Sequence, residues 1–264
     1  MKKKTYYYNS FSDDFAGNNI KTKKIDENFK MINRNIFWKA IGWFLYRFIA
    51  LPFVWLYCFA VRGIRFENRK SFKKLKGFFL YGNHVLGTDC FVSNMLSFPR
   101  KTFVVAGPDA VSIPGIKQIV LMLGAIPIPA TVKGLKKLKD TVKYRYEKKN
   151  CICIFPEAHI WPYCNFIRPF DTSSFTYPAE LGAPVVAYVT TFRKPSGIFK
   201  FIKPPAWTVH VSDPFYPDSE KTVKENKQYL HDCVYNFMKE TADKYNKEEF
   251  VRYVKTDDTE KSVA

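Results

Sequence analysis

A histidine and an aspartate five positions apart, His84 and Asp89, carry the acid–base chemistry that this sequence offers. They lie in the stretch Tyr81-Gly82-Asn83-His84-Val85-Leu86-Gly87-Thr88-Asp89. A carboxylate that reaches back across a turn onto one imidazole nitrogen fixes the tautomer and leaves the other nitrogen free to take a proton. The flanking residues favour that geometry. Gly77-Phe78-Phe79-Leu80-Tyr81 is a compact apolar run of strand length, and residues 89–98 carry Val92, Met95 and Leu96 at helical spacing. A strand that ends in Gly-Asn and restarts as a helix places His84 in a tight loop at a sheet's carboxyl edge. Thr88 is expected as the helix N-cap, with Asp89 in the first turn, where the helix dipole favours negative charge. The plain alternative is a loop histidine that only caps or packs, since a His and an Asp at this separation also arise by chance.

A second cluster, Phe155-Pro156-Glu157-Ala158-His159, follows the apolar run Cys151-Ile152-Cys153-Ile154. It sits one α/β unit from His84, so both loops are expected on one sheet edge, where such folds place their sites. Glu157 there is suited to bind a substrate hydroxyl or to orient a neighbouring loop; a helix cap or a surface salt bridge is the structural alternative. His84, Asp89, Glu157 and His159 are also the residue types of a metal-dependent hydrolase. Against that reading, the sequence has no H-E-x-x-H and no tight ligand pair.

The elements that must hold these loops alternate along the chain. Residues 102–106, 125–128, 151–155 and 184–190 read as strands, 207–211 as a strand nearer the edge, and 109–123 and 132–149 as helices. Residues 221–245 form a final amphipathic helix with Val223, Leu230, Val234, Phe237 and Met238 on one stripe. Such alternation argues for an α/β domain with a mixed, largely parallel sheet flanked by helices. Ahead of it, residues 36–61 are strongly apolar, with Arg47 interrupting the run and Pro52 near its middle. A straight span needs roughly 20 apolar residues without a central charge or break, so two short helices meeting near Pro52 are expected, lying in one leaflet. Trp38, Trp43, Trp55 and Tyr57 would then sit near the headgroups. The chain thus divides into a loosely ordered basic arm (1–33), a membrane-associated helical hairpin (34–66) and the α/β domain (67–264).

Formal net charge is +18 and pI about 9.5, which points to an anionic partner. No nucleic-acid module is present and the basic residues are spread along the chain, so an anionic membrane surface is favoured over nucleic acid. Aromatic residues reach 17%, a level suited to meeting lipid or a long apolar ligand. None of the six cysteines forms a C-x-x-C pair, and buried free thiols in a reducing compartment are expected. Lys2-Lys3-Lys4 resembles the start of a secretion signal, but a polar Tyr-rich stretch follows where an apolar region should be.

Taken together, these stretches resemble the lysophospholipid acyltransferase family, whose best-known members are the 1-acyl-sn-glycerol-3-phosphate acyltransferases. Asn83-His84 with Asp89 matches the N-H-x4-D block, and Gly124-Ala125-Ile126-Pro127-Ile128 the beginning of the G-x-I block. Phe155-Pro156-Glu157 matches the start of F-P-E-G, and Ala183-Pro184-Val185-Val186 the closing P-V block. The four occur in the family's order within roughly residues 35–215. The resemblance implies that His84 is the general base on an acceptor hydroxyl, that Asp89 orients it, and that the hydroxyl attacks an acyl thioester directly, with no Ser or Cys nucleophile and no cofactor or metal. The donor would be acyl-CoA or an acyl carrier protein, the acceptor a lysolipid, and the setting the cytoplasmic face of the cell membrane. Backbone amides around residues 87–89 are candidates for the oxyanion, and Asn83, Gly87, Glu157, Arg168 and Lys133 for substrate binding. Trp161 to Phe170 form an aromatic loop expected to line an acyl channel, to meet the bilayer, or simply to pack.

The departures concern the acceptor. An Arg usually closes the family's G-x-I block and a second follows F-P-E-G, both associated with the acceptor's phosphate. Here those positions read Pro129-Ala130 and Ala158-His159-Ile160. Lys133, Lys136, Lys137 or Arg168 would have to substitute, and a lysine is not a bidentate fork. An acceptor without phosphate therefore stays open beside lysophosphatidic acid, as does a non-catalytic basic protein that only binds membranes.

Overall fold

The computed structural model describes residues 4–16 and 21–256. Its core is a seven-stranded sheet in the order β2(Arg65–Glu67), β8(Ala206–Val211), β7(Val185–Arg193), β3(Phe78–Gly82), β6(Cys151–Ile154), β4(Thr102–Ala106), β5(Ala125–Pro127). All neighbours are parallel except β7 and β8. The central strands β3 and β6 are buried along their whole length, as expected of strands covered on both faces. Strand β8 lies one place in from the edge, because the short β2, which no sequence pattern announced, pairs outside it.

Five helices complete the domain: α3(Asp89–Ser97), α4(Lys117–Leu123), α5(Val132–Glu147), α6(Thr176–Leu181) and α7(Val223–Tyr245). The stripe of α7 buries Leu230, Val234 and Met238 against β7 and Ile152, on the same side as Leu138 and Val142 of α5. Thr222 and Glu225 close its N-terminus with a reciprocal capping box. The helix expected over residues 109–123 is split. A 3-10 turn, Pro108–Val111, precedes Pro114-Gly115, where Gly115 takes φ +80°, and α4 begins only at Lys117.

The expected hairpin is instead one continuous helix, Ile36–Ala60. It consists of α1(Ile36–Phe44), a π-helical stretch Leu45–Ala50, and α2(Leu51–Ala60). Pro52 lacks an N–H and crowds the carbonyl four residues back. The wider π turn immediately before it absorbs that misfit, so the helix continues. It also resets the inward face: Gly42 and Tyr46 are four apart, whereas the next buried residue is Leu51, five on, followed by Val54 and Cys58. Gly42 allows this close approach, since a Cβ would meet the Met122 side chain at 3.2 Å. The Tyr46 hydroxyl donates to Asn94 at 2.6 Å. Arg47, which the sequence placed inside an apolar run, turns back to donate to the Pro99 carbonyl. The opposite stripe stays bare: Ile36, Phe37, Ile41, Trp43, Phe48, Phe53 and Leu56 are each more than half exposed.

The N-terminal arm is better ordered than expected. Its β1(Lys4–Tyr8) pairs in parallel with β9(Val251–Lys255), and this two-stranded ribbon closes over Trp161, with Tyr8 and Tyr253 at 4.8 and 4.7 Å from its ring. Further on, Ile25 is buried and its carbonyl accepts from Ala130. All six cysteines are free, four of them buried.

Candidate active site

The sequence places His84 two residues beyond the end of β3, and the packing around β3 explains how that loop is held. Gly82 lies beside Tyr188 of β7, where any Cβ would fall 2.2 Å from the phenol ring. Asn83 follows, 1% exposed. Its amide nitrogen donates to the Thr190 carbonyl at 3.1 Å and its oxygen accepts from the Thr190 N–H at 2.9 Å. Both hydrogen-bonding ends of Asn83 are thereby engaged with β7, so the residue expected at the substrate instead clamps the loop.

Asp89 opens α3 and folds back as its position predicts. Its Oδ2 accepts from the Val85 and Leu86 amides at 2.7 and 2.8 Å and lies 3.1 Å from His84 Nδ1. The carboxylate is 1% exposed. Burial pushes its pKa up, while the His84 contact and the two amides favour the ionised form. With Nδ1 facing a carboxylate, the imidazole carries its proton there, and Nε2 has no hydrogen-bond partner among the described residues. The ring is stacked on Phe155 at 4.4 Å and 15°, so its plane is fixed as well as its tautomer. Thr88, expected as the N-cap, makes no capping bond, and its hydroxyl is buried without a partner.

Glu157 is brought to His84, but not to face a substrate. Its Oε2 accepts from the His84 N–H at 2.8 Å and its Oε1 from the Arg168 N–H at 2.7 Å. The Arg168 Nη2 lies 3.4 Å from the same carboxylate, and both side chains are 1% exposed. That guanidinium also donates to the His84 and His159 carbonyls and lies over the Trp161 ring at 4.9 Å. Trp161 and Tyr163 donate in turn to the carbonyls of His84 and Val85. Of the three expectations for the aromatic loop (channel lining, bilayer contact or plain packing), packing is the one seen: it forms the rear wall of the histidine loop, with Trp161 wholly buried. Breaking the Glu157–Arg168 pair strands a buried charge: Arg168→Met is expected to lower unfolding stability by about 3–5 kcal/mol in urea titrations.

Of the other expected residues, Gly87 is exposed in the His84 loop. The Gly87 and Thr88 amides make no hydrogen bond among the described residues, whereas the Asp89 amide donates to the Leu86 carbonyl. Lys133 stands in the first turn of α5, beyond β5. Three strand spacings separate it from β3, about 14 Å of sheet. The four candidate metal ligands do not converge. Glu157 faces Arg168, and His159 lies outside beside Asp14 at 3.9 Å. Asn83, Phe155 and Tyr188 act as supports that spacing does not reveal; the apolar character of β3 and of the first half of β7 was their main signal.

A mostly parallel sheet with an aspartate-held histidine beyond its central strand defines the class, an α/β domain with a candidate acid–base pair at the carboxyl edge of its sheet. Residues 63–191 match the family model described as Acyltransferase. Among solved structures, the chain is similar to the 1-acyl-sn-glycerophosphate (LPA) acyltransferase PlsC from Thermotoga maritima. The TM-score is 0.50 and the identity 16%, over 77% of this chain and 94% of that one. No curated protein sequence matches. The family match spans just under half of the chain, and the likeness to PlsC is one of fold.

Proposed function

We propose that this protein moves a fatty acyl group from a thioester, carried by CoA or an acyl carrier protein, to the hydroxyl of a lysolipid at a membrane surface. The observation that carries this reading is the His84 Nδ1–Asp89 Oδ2 contact, with the opposite nitrogen unpartnered. Nε2 takes the proton of the acceptor hydroxyl as its oxygen attacks the thioester carbonyl. The collapsing intermediate then expels the thiolate, which receives that proton. Asp89 stabilises the imidazolium between the two transfers. The free amides of Gly87 and Thr88 are suited to receive the oxyanion, and Glu157 and Arg168 position the loop rather than grip the acceptor. The test presents labelled acyl-CoA and acyl carrier protein thioesters with lysophosphatidic acid and a phosphate-free lysolipid. The account expects acylated lipid from at least one pairing. Thioester hydrolysis that ignores every acceptor would overturn it.

The membrane setting rests on the helix Ile36–Ala60. At 25 residues it is about 37 Å long, yet its inner stripe packs along the domain, so it lies in the interface and does not cross. Its α2 half touches the helix that carries Asp89, with Phe53 and Tyr57 at 6.3 and 5.7 Å from Phe91. This brings the catalytic loop to the bilayer edge; the cytoplasmic face is the one that thioester donors reach. Phe37→Glu/Phe48→Glu removes two bare rings, 76% and 58% exposed. Each ring is worth about 1.5–3 kcal/mol when buried, so vesicle flotation should fall at least 100-fold with the thermal midpoint little changed.

A further inference from the structure

At the opposite edge of the sheet, the interfacial helix and the domain line an open cavity of about 500 Å³. Cys151 is in register with both Phe78 and Thr102, so Lys101, on the cavity wall, is level with Gly77. His84 stands seven residues further along, roughly 20 Å away. No acidic side chain lines this cavity, whereas Arg47, Lys101, Arg145, Lys148 and Lys149 do. None of the five has an ion-pair partner among the described residues. The helix dipole explains basic residues at the end of α5, but not Arg47 and Lys101, which converge on them from two other segments. Arg145 lies over the Phe103 ring at 4.3 Å, and its Nε is buried without a hydrogen bond. Burial, with Arg145 and Arg47 nearby, pulls the Lys101 ammonium down to about 8. So many unneutralised cations in a partly dry cavity repel one another, and an anion relieves that cost. Trp38 and Trp43 of the interfacial helix form the remaining rim, and Trp43 is 57% exposed on the lipid-facing stripe.

We propose that this cavity binds the phosphate of an anionic lipid headgroup, at a site separate from the catalytic loop. The inference rests on the interfacial placement of the helix and not on acyl transfer. Guanidiniums of Arg47 and Arg145 suit the phosphate oxygens as forks, Lys148 and Lys149 supply point charge, and the tryptophans take the glycerol and first methylenes at the headgroup level.

The test measures co-sedimentation of the full chain with phosphatidylcholine vesicles, with and without phosphatidic acid. Arg145→Gln/Lys148→Glu lowers net charge by three, as does the control Lys244→Gln/Lys224→Glu on the exposed surface of α7. The site variant is expected to lose about tenfold in affinity for phosphatidic acid vesicles, to keep its binding to pure phosphatidylcholine, and to hold its thermal midpoint. The control should stay within about twofold of wild type, and His84→Ala should bind as wild type does, which separates this site from catalysis. Equal losses in the two charge variants would reduce the effect to bulk electrostatics and overturn the site. Millimolar inorganic phosphate that raises the wild-type midpoint without vesicles, while phosphatidic acid adds nothing to vesicle binding, would assign the cavity to a soluble phosphate and overturn the lipid. Wild type that binds neither vesicle would overturn the interfacial placement and the proposal with it.

Discussion

His84→Ala is expected to lower kcat by at least 100-fold in acyl transfer, with binding of the thioester donor nearly unchanged. General-base catalysis is typically worth about 10²–10⁴ in rate, and no other base stands in the loop. Of the nearest titratable groups, Asp89 and Glu157 are both engaged inside the protein. The variant should fold. The loop is anchored through the His84 backbone, whose N–H donates to Glu157 and whose carbonyl accepts from Trp161 and Arg168. The imidazole itself is 18% exposed, so its removal opens a notch reachable from solvent, and added imidazole should restore part of the rate. A rate within a few-fold of wild type would remove His84 from the mechanism.

Asp89→Asn is the second large effect, with a loss of about 10²–10⁴ in kcat expected. An asparagine oxygen in place of Oδ2 can keep the Val85 and Leu86 bonds, so the turn survives. Its amide nitrogen then falls where Oδ1 is buried with no partner, leaving two donors unsatisfied. The opposite orientation sets that nitrogen against the Val85 and Leu86 amides and against Nδ1–H. Either way no negative charge remains to stabilise the imidazolium, and in the flipped orientation Nδ1 is no longer the favoured proton site. The expected signature is a fall in kcat with little change in KM, since Asp89 is sealed from solvent. A rise in KM alone would recast Asp89 as part of a binding surface.

The His84–Asp89 contact was legible because it is local. A strand, a Gly-Asn turn and a helix-opening carboxylate fix His84 against Asp89 within nine residues, and β3, β6 and the first half of β7 announce themselves as apolar runs. What surrounds the pair was not, because it depends on distant chain. Asn83 meets Thr190 more than a hundred residues away, and Lys4–Tyr8 finds Val251–Lys255 from the other end of the sequence. Glu157 and Arg168 are polar residues in an irregular loop, where no period distinguishes a buried pair from a solvated one. Pro52 reads as a break because proline usually is one; only the π turn ahead of it, and the domain against which the helix lies, carry the helix through.

The most direct test follows one labelled acyl group through a single turnover, with enzyme in excess over thioester, vesicles bearing a lysolipid, and an acid quench. Direct attack by a base-activated hydroxyl predicts that label leaves the thioester and reaches the lipid at one rate, with none attached to protein and none moved by His84→Ala. Label trapped on the chain ahead of the lipid, or reaching the lipid as fast in the absence of the His84 imidazole, would contradict the account.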